Sequence, residues 1–362
     1  MPVIDLLETF QIFIIIQCIT FCVYLFTVKS DYSISNKLLG LFLIVLSLQM
    51  ASNIFISTGN SFFYRSSLSL RFLFGPLFFL YVSSIITKDQ KLTKYDFFHL
   101  VPFISVVFVL SINIRVDRVY FLAFTYFFLV GYLVFTYYVI HTYKKVLAET
   151  RSSSSDTSLK WIQLLLSFQA LVIILDLVNN FNSRIEGWPV MEILMVEMVI
   201  ILCMVNVMIF FGLKHPNLFT VINTEERLIV KDQKEKYASS ALKDDDLVRI
   251  KEKLSMLMEN EKPYLDPELT LTDLAEKISL SNRELSQVIN TQFDRNFSEF
   301  INSYRVEEAI RIFEKNDDPK KTILEIIFEV GFNSKSSFYT AFKKQTNTTP
   351  KIYLAKIRSE KK

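Results

Sequence analysis

The chain has 362 residues, 51% of them hydrophobic and 21% charged, with a formal net charge of +3. That length suffices for two or three domains, and the apolar excess excludes an ordinary soluble protein. The charge is unevenly spread. Residues 1–213 hold 14 Lys/Arg and 12 Asp/Glu, and the chain from Lys214 onward holds 26 and 25, so the net value averages two unlike halves and predicts no partner.

Minor residue types narrow the chemistry further. Cys18, Cys22 and Cys203 all sit in apolar runs and read as buried small hydrophobes, with no disulfide framework. His99, His141 and His215 are scattered without metal-ligand spacing, so no metal is expected. Of seven glycines, only Gly331 lies beyond Gly212, which excludes a glycine-rich phosphate loop in the polar half. That half also has no cysteine and no paired-carboxylate spacing, so the sequence points away from an enzyme and implies no cofactor.

Seven apolar runs near the ~20 residues that a bilayer requires lie at about 9–28, 38–56, 72–87, 97–114, 119–140, 161–178 and 190–213. The third is the weakest, short and with Arg71 at its edge. Acidic residues (Asp5, Glu8) precede the first, which argues against a cleavable signal peptide. Loops one, three and five carry nine basic residues: Lys29, Lys37, Lys88, Lys91, Lys94, Lys144, Lys145, Arg151 and Lys160. Loops two, four and six carry five: Arg65, Arg71, Arg115, Arg118 and Arg184. The positive-inside rule then places the N-terminus outside and the C-terminus in the cytoplasm of a bacterial inner membrane.

Few polar residues interrupt the spans. Glu197 lies about two turns inside the seventh, while Glu192 and Asp176 read as nearer its outer boundary. An ionisable group at membrane depth is costly, and two readings of Glu197 stay open: a sensing or coupling site, or a protonated packing glutamate. Gly75-Pro76 is an isolated kink candidate, and residues 151–156 (RSSSSD) read as a flexible cytoplasmic loop.

Residues 214–243 read as a linker, and a helical pattern begins at Asp244, with Leu247, Ile250, Leu254, Leu257 and Met258 on one face. Thr270 with Asp273 and Ser281 with Glu284 form capping boxes that start two helices around a short turn, with Ala275 small where they cross. That is a helix-turn-helix layout, spanning about 270–293. A second copy covers about 322–346: Thr322 with Glu325 caps its first helix, Gly331 supplies the turn and Ser334 caps its second. A closing helix starts at Thr349-Pro350. Between the copies, a helix over about 297–315 carries two apolar stripes. Phe297, Phe300, Ile301 and Tyr304 share one face; Val306, Ala309, Ile310 and Phe313 share another, roughly half a turn away. Two separate cores must grip such a helix. Its length, about 28 Å at ~1.5 Å per residue, suits a two-part reader of successive major grooves, about 34 Å apart.

On the stretches LTLTDLAEKISLS, FSEFINSYRVEEAIRIF, ILEIIFEVGFNSKSSFYTAFKK and TPKIY, residues 261–358 resemble the DNA-binding domain of the AraC/XylS family of transcription regulators. The seven-span half joined to it is similar to the membrane-bound regulators of that family. Departures from the family pattern are Ile327 for Ala, Asn347 and Ser279 for Gly, and Leu354 for Arg. The resemblance implies an all-α protein: a seven-helix transmembrane bundle over 1–213, a linker, and a cytoplasmic two-unit domain over 244–362. Its implied partners are double-stranded DNA, the lipid bilayer and a small-molecule or membrane-derived signal, with a homodimer as the oligomer the arrangement allows. By position, the base-reading sets are Asn282, Arg283, Ser286, Gln287 and Asn290 on the first recognition helix, and Lys335, Ser336, Tyr339, Thr340 and Lys343 on the second. Lys343 and Lys344 suit phosphate. Leu285, Val288, Ile289, Phe338 and Phe342 point to the cores. A competing reading is a membrane receptor or transporter whose helix-turn-helix tail docks a protein.

The loop bias generates a topology test. Cysteine labels introduced at Ser154 and at the C-terminus are expected to react only from the cytoplasm, and one at Asn182 only from outside. Reaction of Ser154 and Asn182 from the same side would sink the seven-span arrangement.

Overall fold

The computed structural model describes residues 2–28, 33–56, 59–86, 93–112, 117–152, 156–183, 185–214, 244–315 and 321–360. The expected linker beyond Lys214, Ser154, His215, Arg115 and Arg184 lie outside these. Among the described residues the regular structure is helical, without strands, as the all-α reading expected. The chain divides into two compact units: residues 1–141 with 158–221, and 142–157 with 222–362.

The first unit holds α1 (Pro2–Thr27), α2 (Ser33–Ile56) and α3 (Ser61–Ile86), then a 3₁₀ segment (Lys94–Leu100) running into α4 (Val101–Ser111). It continues with α5 (Arg118–Thr150), α6 (Asp156–Asn182) and α7 (Val190–Lys214). Seven segments are long and apolar enough to cross a membrane, in the order the hydropathy gave. The unit is apolar outward as well as inward. Phe127 is 80% exposed and Phe108 63%, an arrangement that water does not favour.

Two expectations need correction. The third segment is not short: α3 has 26 residues, and Arg71 lies well inside it because its guanidinium meets Asp176 of α6 at 2.8 Å. Arg71 is therefore a residue of the third segment and not of loop two. Cys203 is exposed, unlike the buried Cys18 and Cys22, because it lies on the outward face of α7. The helix continues through Pro76, and the preceding Gly75 serves a close approach: a Cβ there would stand 2.8 Å from the Cβ of Tyr132.

In the second unit, α8 (Asp244–Asn260) leads through a short turn (Pro263–Leu265) to α9 (Leu271–Lys277) and α10 (Asn282–Phe293). The long α11 (Phe297–Lys315) follows, then α12 (Ile323–Glu329), α13 (Lys335–Thr346) and α14 (Pro350–Glu360). All three capping boxes form, at Thr270, Ser281 and Thr322, and the Ser334 hydroxyl accepts from the Ser337 N–H. Backbone N–H donation, then the Ser281 and Thr322 hydroxyls, hold the Glu284 and Glu325 carboxyls below the ordinary carboxylate range. Both are therefore ionised at neutral pH, and their contribution is lost only as pH falls through those lowered values.

The two stripes of α11 enter two cores. Phe297, Phe300 and Ile301 pack with Leu254, Met258, Leu274 and Leu285. Val306, Ala309 and Phe313 pack with Ile327, Val330, Phe338 and Phe342. Each fully buried aromatic contributes about 1.5–3 kcal/mol of transfer free energy. Between the stripes, the wholly buried Arg305 donates from Nε to the Tyr264 carbonyl (2.6 Å) and from Nη2 to the Asp266 carbonyl (2.7 Å).

Left-handed turns occur where the family pattern has glycine: Ser279 at φ 58°, Asn347 at 56° and Gly331 at 90°. Only at Gly331 is space also lacking, since a Cβ would stand 2.6 Å from the Tyr264 carbonyl oxygen and 2.8 Å from that of Leu265. Gly331→Ala is therefore expected to cost about 1–3 kcal/mol from the backbone conformation alone, with further loss as the Arg305 acceptor is displaced. The urea midpoint for unfolding of the second unit, measured in the full chain, checks this; an unchanged midpoint would show that the turn relaxes freely.

Candidate nucleic-acid interface

On α10, Leu285, Val288 and Ile289 are fully buried, while Asn282, Arg283, Gln287 and Asn290 are partly exposed. Asn282 Nδ2 donates to Thr272 Oγ1 at 3.0 Å, fixing the start of the helix against α9. Ser286 departs from the expected outward set: it is 2% exposed, and Asn290 Nδ2 approaches its hydroxyl at 3.4 Å.

The neighbourhood of this face explains the burial. Residues 142–157 belong to the same compact unit as the helix-turn-helix pair. Glu149, at the end of α5, hydrogen-bonds to the Asn290 side chain. The following residues pair with the turn before α9: Arg151 bridges Thr270 in antiparallel fashion, and the Ser152 N–H donates to the Leu269 carbonyl at 3.2 Å. Arg305 then donates to Ser152 twice, Nη1 to its carbonyl (3.3 Å) and Nη2 to its hydroxyl (3.1 Å). No local sequence signal announces any of these contacts, because the partners lie more than a hundred residues apart.

The second recognition helix is open. On α13, Phe338 and Phe342 are buried, whereas Lys335, Ser336, Thr340, Lys343 and Lys344 are exposed and Tyr339 is partly so. The Lys335 ammonium lies 5.4 Å from the Tyr339 ring centroid. Lys344 is committed to an ion pair with Glu299 of α11, whereas Lys343 has no ion pair among the described residues. From Phe332 onward Lys335, Lys343, Lys344, Lys351, Lys356, Arg358, Lys361 and Lys362 face a single acid, Glu360, in sequence. Asn333 Nδ2 donates to Glu268 Oε1 (2.9 Å), and the Arg305 guanidinium lies 5.6 Å from the Phe332 ring, so the turn of the second helix pair rests on the first.

The three acidic residues of the apolar unit separate. Glu192 is exposed in the first turn of α7. Asp176 is fully engaged: besides Arg71 it accepts from Tyr126 Oη (2.8 Å) and Asn180 Nδ2 (2.9 Å). Glu197 is 4% exposed, and its Oε1 has no hydrogen-bond partner.

Residues 274–356 match the helix-turn-helix domain family. An HTH-type transcriptional regulator of Staphylococcus aureus is 32% identical over 90 residues, 25% of this chain and 12% of the relative. YdeC of Bacillus subtilis, likewise named an HTH-type transcriptional regulator, is 27% identical over 85 residues, 24% of this chain and 28% of its own. These relatives are thus matched over much less than two thirds of their own lengths. The C-terminal domain of the two-component response regulator yesN from Fusobacterium nucleatum has 31% identity, over 29% of this chain and 98% of that one, with TM-score 0.26. The C-terminal region is an AraC-type helix-turn-helix domain, as the resemblance implied. That class supports a DNA-binding transcription regulator.

The difference between the two recognition helices is measurable in solution. In the full chain held in nanodiscs, a cysteine replacing Ser336 is expected to react with a maleimide at least about ten-fold faster than one replacing Ser286, following the thiol's access to reagent. Equal rates would show that the 149–152 contact does not persist.

Proposed function

We propose that the chain is a membrane-anchored, sequence-specific DNA-binding transcription regulator, whose apolar unit couples a small-molecule or membrane-derived signal to promoter binding. The observation that carries this reading is the pair of complete helix-turn-helix units threaded on one helix, the second with an open, basic recognition face. Exposed aromatic and aliphatic side chains along seven apolar helices support anchoring in a bilayer. The proposed location is the bacterial cytoplasmic membrane, N-terminus outside and reader inside. A dimer held by the spans would present readers to paired half-sites.

Coupling has a physical candidate. Helix α5 runs unbroken over 33 residues, with residues to 141 in one unit and 142–150 in the other. A helix transmits displacement along its axis, and the end of this one reaches Asn290 and the turn before α9. We assign Arg283 and Gln287 to base edges, guanine and adenine respectively, with Asn282 beside them. Ser286 and Asn290 join that set only when residues 149–152 move away. On α13, Lys335, Ser336, Tyr339 and Thr340 read bases, Lys343 holds phosphate, and Lys344 does so on release from Glu299.

Binding of duplex DNA by the full chain in nanodiscs tests the reading. Affinity is expected to fall steeply with salt, by about 0.9 in log–log slope for each phosphate neutralised. Arg283→Ala should cost about 1–3 kcal/mol on the cognate site and relax preference at particular base pairs, while Lys343→Ala weakens all duplexes alike and lowers the salt slope by about one. Absent or salt-independent binding would overturn the assignment and favour a tail that docks a protein.

A further inference from the structure

The apolar unit contains two cavities that meet at the same polar residues. The narrower, about 140 Å³, is lined mainly by apolar side chains such as Phe42, Leu46 and Ile201. The wider, about 840 Å³, extends toward the ends of helices that carry Tyr64, Arg118 and Val190, on the side of loops two, four and six. Asn53, Arg71, Asp176, Glu197 and Met198 line both. A narrow apolar chamber thus joins a wider one through a waist of charged groups.

The waist is chemically incomplete. A buried polar atom without a partner costs about 1–3 kcal/mol, more when charged. Three such atoms, without a partner among the described residues, belong to residues that line the narrow chamber: Glu197 Oε1, Gln49 Oε1 and Gln169 Oε1. Glu197 is 4% exposed and Gln49 5%. The Gln49 amide is oriented by its own donations, from Nε2 to Ser67 Oγ (2.6 Å) and Asn53 Oδ1 (3.1 Å), so its orphan atom is an acceptor. The two glutamine oxygens accept, as does Glu197 when ionised, so an occupant that donates satisfies all three. Charge points the same way. The charged side chains lining the narrow chamber are Arg71, Asp176 and Glu197, and Arg71 is already matched to Asp176 at 2.8 Å. The second carboxylate is left over. Arg118 of the wider cavity is exposed to solvent and supplies no ion pair to Glu197 among the described residues.

We propose that these joined cavities bind a small organic ammonium ion with a compact apolar body, its N–H groups donating to Glu197, Gln49 and Gln169 and its body filling the narrow chamber. The volume fits a group of about benzene size, which a cavity of ~150 Å³ accommodates. Entry is through the wider cavity, past Arg71 and Asp176. The proposal rests on reading this unit as a sensor and supplies the class of signal. An occupant there meets α2, α3, α6 and α7 at once, and Leu129 of α5 also lines the chamber.

The test uses the full chain in nanodiscs with benzylammonium as probe and benzyl alcohol as its neutral counterpart. Benzylammonium is expected to raise the thermal midpoint saturably, and benzyl alcohol of matched concentration is not. Glu197→Gln should weaken the apparent affinity at least about ten-fold, the loss of one charge-assisted hydrogen bond. Glu197→Asp should retain part of it, and Glu192→Gln, on the exposed turn of the same helix, should leave it unchanged. Because Glu197→Gln alters a buried side chain, its midpoint without probe and its elution as a single nanodisc species are read first; if it is unfolded, the Asp variant and the charge dependence of the probe decide. No response to benzylammonium, an equal response to benzyl alcohol, or an undiminished response in a folded Glu197→Gln overturns the site and leaves a proton or water as the occupant. Duplex binding measured on the same samples separates the two claims. DNA binding without an ammonium response removes only the site, and an ammonium response without DNA binding removes the regulator.

Discussion

A guanidinium taken wholly out of water must find acceptors for its donors, because each unmet charge-assisted hydrogen bond costs more than a neutral one. Arg305 sets much of the C-terminal unit by that demand. Its acceptors are the Tyr264 and Asp266 carbonyls, the side-chain oxygen of Asn302 and two oxygens of Ser152. Burial pushes the group down to about 10, and Asp266 and Glu268 oppose that fall, so it is still charged at neutral pH. The turn before α9, the left-handed Gly331 and the segment after α5 are all arranged around one buried cation. Packing a leucine at that point would leave three carbonyls facing a dry interior; a lysine would reach fewer of them, being a point donor where a planar fork is needed.

The same centre explains why the two recognition helices differ. Both helix pairs are built alike, with a capped first helix, a left-handed turn and a capped second helix buried on its apolar face. Arg305 faces the first pair and the segment that follows α5, so the chain closes over α10 at Ser286 and Asn290. The second pair meets this centre at its turn, through Gly331, Phe332 and Asn333, and the polar face of α13 stays exposed. In the function proposed above, steady phosphate attraction from the basic α13 and conditional base contact from α10 are different physical tasks. Coulombic attraction acts without exact register, whereas base edges demand it.

What was legible in the sequence is what rests on near neighbours along the chain. The capping boxes at Thr270, Ser281 and Thr322 are set by residues three apart, and the two stripes of α11 by the period of one helix; both appear as read. The turn at Asn347 follows from a side chain tolerant of positive φ. Arg71 and Ser286 differ from their expectations for the opposite reason. A lone arginine in an apolar run reads as a boundary until its carboxylate is found, and that partner lies 105 residues away. Ser286 is spaced to face outward on α10, yet it is 2% exposed, and the Asn290 side chain beside it meets Glu149 from far earlier in the chain. The burial of Arg305, between the two stripes, has no local signal, since nothing near it in the sequence says that both sides of its helix are occupied.

The apolar unit obeys the stricter rule. Water rescues a misplaced polar group at a protein surface, but hydrocarbon does not, so each ionisable group in a spanning bundle must be paired, neutralised or solvated by a cavity. Asp176 meets the rule by pairing, with Arg71, Tyr126 and Asn180 gathered around it from three helices. Glu197 meets it only through the cavity it lines. A bundle selected for anchoring alone has no use for a second carboxylate beside a completed ion pair, nor for glutamines whose oxygens point into the same space. The residues that make this cluster costly in an empty state are those that give an incoming donor its binding free energy, which is the condition for a ligand to shift a conformational equilibrium at all.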